Sequence, residues 1–185
     1  IVFDYTKELA DGVNVHHYPQ HTGEENDAAL LGAPQSLDEI LPKVRKQTEE
    51  YGVPGKKYEV WLTEWNSVDF KPGPQTLSIV NALFVADYLG SLAKHNIEQA
   101  SYWDIHNDVT EQGGDYGYLS RTGAPDGDNV PRPSYWAFKM ASESLRGKLI
   151  SSSTTNENVT SYLTENNGKL SLMIVNKMPK TKANT

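Results

Sequence analysis

The chain has 185 residues, 37% hydrophobic and 22% charged, enough for a folded domain with a sizeable core and unlike the composition of a disordered chain. Its net charge of −7 argues against nucleic acid as a partner, because phosphates call for a basic surface. Cysteine is absent, which excludes disulfides and thiolate metal sites, and no apolar run reaches the roughly 20 residues that a bilayer span needs.

The first strand reads from Asp11 to Pro19, with Val13 and Val15 in alternation and Pro19 closing it. A polar loop through Gly23, Glu24, Glu25, Asn26 and Gly32 follows. Ser36-Leu37-Asp38-Glu39 has capping-box spacing and opens a helix, with Pro42 expected at its first position and Gly52, Pro54 and Gly55 ending it. Tyr58 to Glu64 is the second strand. After Lys71-Pro72-Gly73-Pro74, a helix over 75–95 carries Val80, Leu83, Phe84, Tyr88 and Leu92 at three-to-four spacing. Ile97 to Ile105 is the third strand. A Gly-, Asp- and Pro-rich loop runs from Asp108 to Pro133, and its length predicts function or mobility. Ser134 to Arg146 is the last helix, stopped by Gly147. Beyond it, Val159 to Leu163 and Leu170 to Val175 alternate around Asn167-Gly168, a hairpin signal. The tail from Pro179 is basic and polar and is expected to fray.

Strand and helix thus alternate three times, which implies βα units and a parallel sheet over residues 1–147; residues 148–185 form a second, antiparallel unit. Each of the three strands ends in polar and aromatic residues: His16-His17-Tyr18, then Glu64-Trp65-Asn66, then Trp103-Asp104-Ile105-His106-Asn107. Active sites of parallel α/β folds form at the C-terminal ends of strands, so the repetition marks a site. Aromatic faces beside acids and amides suit sugars, whose C–H faces stack on rings while hydroxyls bond polar groups. Strand alternation is expected to put Leu62 and Glu64 on one face, and Thr63 and Trp65 on the other. The plain alternatives are a solvated acid for Glu64 and core tryptophans for Trp65 and Trp103.

Trp-Leu-Thr-Glu-Trp-Asn (residues 61–66) resembles the strand-seven nucleophile run of the large clan of retaining (β/α)8-barrel glycoside hydrolases, in its arabinofuranosidase, β-xylosidase and endoglucanase families. Val-Asn-Val-His-His-Tyr-Pro (13–19) resembles strand six, and Ala-Ser-Tyr-Trp-Asp-Ile (100–105) strand eight. Pro-Arg-Pro-Ser-Tyr-Trp-Ala-Phe-Lys-Met (131–140) resembles the start of the last barrel helix, and the hairpin the β-sandwich that follows the barrel in several of these families. The resemblance implies an α/β fold: the C-terminal portion of a TIM barrel, about strands six to eight, then the start of an antiparallel β-sandwich. It implies Glu64 as nucleophile and Trp103 as a platform under the sugar. His16, Tyr18, Asn66, His106 and Trp65 are the further substrate-binding candidates, with Tyr18 or His16 donating to the nucleophile.

A complete barrel takes about 250 residues, and the clan's acid/base glutamate belongs to strand four. Nothing before Asp11 supplies that strand, so the rest of the barrel is expected from the same gene or a companion chain. The opening Ile1-Val2-Phe3-Asp4, without an initiator Met, carries the same expectation. The implied substrate is arabinoxylan, xylan or β-glucan, with a location outside the cell expected and the cytoplasm as the alternative, and with no cofactor, nucleic acid or membrane as partner. No metal is expected: His16 and His17 are strand neighbours that point apart, and Asp115, Asp126 and Asp128 lack calcium-loop spacing and read as solvated loop acids. The competing class is a non-catalytic carbohydrate-binding protein with a barrel-like sheet. A self-associating half-barrel is a third.

Overall fold

The computed structural model describes residues 2–178, so the tail from Pro179 lies outside the described residues. A short helix, α1 (Val2–Thr6), leads into β1 (Gly12–His17), followed by α2 (Asp27–Gly32), a 3-10 turn (Ala33–Ser36) and α3 (Leu37–Tyr51). Next come β2 (Glu59–Trp65), a 3-10 turn (Pro74–Leu77), α4 (Ile79–Lys94), β3 (Gln99–Tyr102) and α5 (Pro133–Ser144). The chain ends in β4 (Lys148–Ile150), β5 (Val159–Asn166) and β6 (Lys169–Asn176). Among the described residues no helix is long and apolar enough to cross a membrane.

β1, β2 and β3 form a parallel sheet in that order, so each helical connection carries the chain to the neighbouring strand. One face of the sheet, with Val13, Val15, Val60, Leu62 and Trp65, joins the core that includes Leu37, Leu41 and Val44 of α3 and Phe84, Val85 and Tyr88 of α4. Asn14 and His16 lie on the other face and are exposed. The apolar stripe is therefore single-sided along β1, and the polar strand tips are left facing out.

β2 does not keep strict alternation. Its register against β1 shifts by one residue, from Val15↔Leu62 to His16↔Glu64, and its register against β3 shifts between Leu62 and Trp65. The extra residue is a bulge in β2, and it reverses the phase of everything beyond it. Leu62 and Trp65 are both buried on the helix side, while Thr63 and Glu64 are both part-exposed. The expected pairing of Leu62 with Glu64 on one face is therefore corrected: the bulge places Glu64 beside His16.

The helices depart from their sequence signals where the chain enters them already helical. Ser36 has helical φ/ψ and its Oγ bonds the Ala33 carbonyl at 2.7 Å, so the capping box does not form. Pro42 sits inside α3 rather than at its start. Its side chain faces solvent, while Leu37 and Leu41 anchor the buried side. Part of the expected polar loop is α2, capped by Asn26 Oδ1 accepting from the Ala29 N–H at 2.9 Å.

β4, β5 and β6 form an antiparallel sheet, and the hairpin turns on Asn167 (φ 52°) and Gly168 (φ 79°) as its Asn-Gly pair requires. This sheet docks on α4. The Tyr162 ring lies where a Cβ on Gly90 would stand 2.3 Å away, so only glycine admits the contact. Asp87 of α4 is buried and accepts from Tyr162 Oη at 2.7 Å, from Thr160 Oγ1 and from Lys177 Nζ at 2.8 Å. α4 is thus covered by one sheet on each side, which is why its buried residues run almost all round it.

Candidate active site

Glu64, the penultimate residue of β2, has its side chain 29% exposed. Tyr18, just past β1, donates its hydroxyl to Glu64 Oε1 at 2.5 Å, and His16 Nδ1 lies 3.7 Å from Oε2. Burial first, then the hydrogen bond to Glu64, push the Tyr18 phenol well above its ordinary value, so Tyr18 stays a donor throughout the neutral range. Tyr116 meets the Tyr18 ring edge-on at 6.3 Å. His17 points the opposite way: its Nδ1 is 2.6 Å from Tyr88 Oη in the core, and burial lowers its pKa. Among the described residues no group of three or more His, Asp or Glu is placed to hold a metal.

The third strand tip is held by Asn66. This residue is fully buried, donates from Nδ2 to the carbonyl of Trp103, and accepts the Ser67 N–H at 2.6 Å. Its expected role as a substrate contact is corrected: it is a peg that fixes Trp103. Trp65 is corrected too. It is fully buried, stacked on Tyr88 at 4.5 Å and edge-on to Tyr102 at 5.0 Å, out of reach of any sugar. Trp103 is 44% exposed, and its N–H bonds the Trp65 carbonyl at 3.0 Å, one residue past Glu64. His106 is exposed, with Nε2 2.8 Å from Asn129 Oδ1. The sheet therefore brings Glu64, Tyr18 and His16 together, ties the Trp103 backbone to the residue after Glu64, and leaves His106 on the long loop.

That loop is not slack. Tyr118 N–H bonds the Asp104 carbonyl at 3.2 Å, Leu119 N–H bonds Ile105 at 3.1 Å, and Asn129 N–H bonds Ser120 at 3.0 Å. Asp115 is buried in an ion pair with Arg132, 2.8 Å from its Nη2, and is no solvated loop acid. Asp126 lies 3.7 Å from Arg132, and Asp128 accepts the Gly123 N–H at 2.8 Å.

Asp104 was not among the expected site residues, though the strand-tip motif contains it. Its Oδ1 is buried without a hydrogen-bond partner, and its Oδ2 is 3.5 Å from Asn107 Nδ2. Burial and the nearby Asp115 charge, opposed by His106, raise its pKa from 3.8 to about 6. The folded chain thus holds a proton that the unfolded chain has released between these two values, and stability falls as pH rises through the window. Partial exposure screens the effect. Asp104→Asn is expected to flatten the pH dependence of the urea midpoint between about pH 4 and 6. Asp115, also raised by burial, leaves a residual slope. An unaltered slope in the variant rules the assignment out.

No protein-family model matches the chain and no curated protein matches it by sequence. Solved structures do match by fold. An α-L-arabinofuranosidase from Thermotoga maritima superposes with a TM-score of 0.69 at 18% identity, covering 95% of this chain and 40% of that one. A bifunctional glucanase-xylanase from a metagenome library gives 0.63 at 21%, covering 95% and 35%. A GH39 β-xylosidase from Caulobacter crescentus gives 0.59 at 19%, covering 91% and 34%. The chain is similar in fold to glycoside hydrolases and spans about a third of the length of the first structures it matches.

Proposed function

We propose that this chain is the C-terminal portion of a retaining (β/α)8-barrel glycoside hydrolase, about strands six to eight, with Glu64 as its nucleophile. The observation that carries the reading is the Glu64 carboxylate, turned out of the core by the bulge in β2 and anchored by the Tyr18 hydroxyl at 2.5 Å. Tyr18 holds Oε1 and leaves Oε2 to attack the anomeric carbon. As that bond forms, the glycosidic C–O bond breaks, and the leaving oxygen takes a proton from a second carboxyl group roughly 5–5.5 Å from the first. That group, on strand four, is contributed by residues outside this chain. That second group, now a carboxylate, acts as base and takes a proton from water, whose oxygen cleaves the glycosyl–Glu64 ester, which frees Glu64 as a carboxylate and restores the acid. Residues 1–147 are the barrel part. Residues 148–185 begin a β-sandwich-like unit, whose exposed Leu170, Leu172 and Ile174 offer a face for another layer. Fold likeness to enzymes of xylan, glucan and arabinose chemistry supports a plant cell-wall polysaccharide as substrate, and a polymer of that kind is met outside the cell.

The test is covalent trapping. The full-length protein is treated with 2-deoxy-2-fluoro xylosyl, glucosyl and arabinofuranosyl donors, digested and mapped. One label on the peptide that carries Glu64 is the expected result. Labelling of another carboxylate refutes the assignment, and binding of xylan without any label favours the carbohydrate-binding alternative.

A further inference from the structure

Tyr116 stands part-exposed between buried neighbours of the long loop, with Gly114 and Asp115 before it and Gly117 after it. Its ring meets the Tyr18 ring edge-on, 6.3 Å between centroids, and the Tyr18 hydroxyl bonds Glu64. We propose that Tyr116 is a positioning residue for Glu64: its ring holds the Tyr18 ring in the orientation that brings the Tyr18 hydroxyl onto Oε1.

Three observations carry this inference, which rests on the hydrolase reading. First, Tyr18 needs a support. It lies just past β1, and a turn about χ1 would swing its hydroxyl off the carboxylate. Among the described residues the Tyr116 ring is the only one that packs on it. Second, the chain holds Tyr116 still. Asp115 is buried against Arg132 at 2.8 Å, and its N–H bonds Thr76 Oγ1 at 3.1 Å. The Gly114 N–H bonds the Pro72 carbonyl at 3.1 Å, an approach so close that a Cβ on Gly114 would stand 2.1 Å from the Gly73 oxygen. A Cβ on Gly117 would stand 2.7 Å from the Leu119 oxygen. The Tyr116 carbonyl accepts the Asp104 N–H at 3.4 Å and lies 3.5 Å from Nδ2 of Asn66, two residues past Glu64. The long loop is thus clamped to the segments that follow β2 and β3 on either side of Tyr116, the rigid backing that an aligned site group requires.

Third, the support brings no charge of its own. Burial first, then the Asp69, Glu64 and Glu25 charges, push the Tyr116 phenol well above its ordinary value. The neutral ring fills the space beside Tyr18 without opposing the carboxylate. The other groups that face this pair are His16, 3.7 Å from Glu64 Oε2, and the Asp104 charge, felt by Tyr18.

The experiment measures covalent labelling of the full-length protein by the 2-deoxy-2-fluoro donors. It compares the parent with Tyr116→Phe, Tyr116→Ala, Tyr18→Phe and Tyr18→Phe/Tyr116→Ala, and adds crystal structures of the two Tyr116 variants. Backbone bonds and the Asp115–Arg132 pair hold the loop, so both Tyr116 variants are expected to keep the fold; circular dichroism checks this. Tyr116→Ala is expected to slow labelling about tenfold, the scale of one aromatic contact, with the half-saturating donor concentration unchanged. Tyr116→Phe keeps the ring and restores the parent rate to within about twofold, with the Tyr18 hydroxyl still on Oε1. In Tyr116→Ala that hydroxyl leaves Oε1. Adding Tyr116→Ala to Tyr18→Phe slows labelling no further, because the ring then has no hydroxyl to aim. A Phe variant as slow as the Ala variant, or effects of the two tyrosines that multiply, overturns the positioning role. The two readings separate. A Glu64 label formed at the parent rate in Tyr116→Ala, with Tyr18 unmoved, removes the positioning role and keeps the hydrolase. A displaced Tyr18 hydroxyl in a protein that no donor labels keeps the positioning of Tyr18 and removes the hydrolase.

Discussion

On the proposed mechanism, Glu64→Gln in the full-length protein is expected to lower kcat by about four orders of magnitude or more, the scale on which covalent nucleophiles matter. Four orders correspond to about 5 kcal/mol of transition-state stabilisation. The substitution keeps the oxygen that Tyr18 bonds, and the side chain is part-exposed, so stability should shift by less than about 1 kcal/mol. In the proposed mechanism it removes the oxygen that forms the bond to the anomeric carbon. Substrate binding should therefore survive while turnover is lost, and a kcat and KM measurement shows the split. A companion variant makes the role unambiguous. Glu64→Gly opens a space at the strand tip, and azide entering that space attacks the sugar directly, giving a glycosyl azide of inverted configuration. Azide rescue is expected for Glu64→Gly alone. Residual activity within tenfold of the parent in Glu64→Gln, or rescue that follows another carboxylate instead, sinks the nucleophile assignment.

Tyr18 and His16 were legible as partners of Glu64 because neighbouring parallel strands put their tips side by side, and the motifs announced three tips. The direction of Glu64 was not legible. A period of two predicts Leu62 and Glu64 in phase, and only the register against both neighbouring strands reveals the extra residue between Leu62 and Trp65. The same bulge decides Trp65. Aromatic residues that flank a site acid read alike in sequence, yet Trp65 is fully buried among Phe84, Tyr88 and Tyr102 while Trp103 is open. Asn66 misled for a related reason: an amide next to a site acid fits a substrate contact and a backbone peg equally well, and the difference lies in the Trp103 carbonyl 37 residues away. Asp115 likewise read as a solvated loop acid until the fold buries it against Arg132. Local signals did well where the physics is local. The Asn167-Gly168 turn fixed the hairpin, because two positive-φ residues dictate a two-residue loop whatever surrounds it. What the hairpin packs on was invisible, since its anchor lies on α4, 90 residues away from Lys177.

That anchor carries the largest stability effect expected in this chain. Lys177→Met should destabilise the fold by about 3–5 kcal/mol, because it leaves the Asp87 carboxylate buried with no counter-charge. Asp87 and Lys177 are both nearly inaccessible, and the Tyr162 and Thr160 hydroxyls that also bond Asp87 neutralise none of its charge. The pair itself need contribute little to net stability, since taking both ions out of water offsets most of their attraction. The double variant Asp87→Leu/Lys177→Met removes both charges, and it should recover much of the loss while still costing Thr160 its carboxylate acceptor and leaving Tyr162 only the Asp87 backbone carbonyl, 3.0 Å away. Urea denaturation of the parent, both single variants and the double variant closes the cycle. A coupling energy of about 2 kcal/mol or more is expected, and a value near zero means that the ion pair is solvated and does not lock the second sheet to α4. The contact sets registry: Asp87, the one acid of α4, accepts three donors from β5 and from Lys177 just past β6, so the hairpin cannot slide along α4 without orphaning a buried charge.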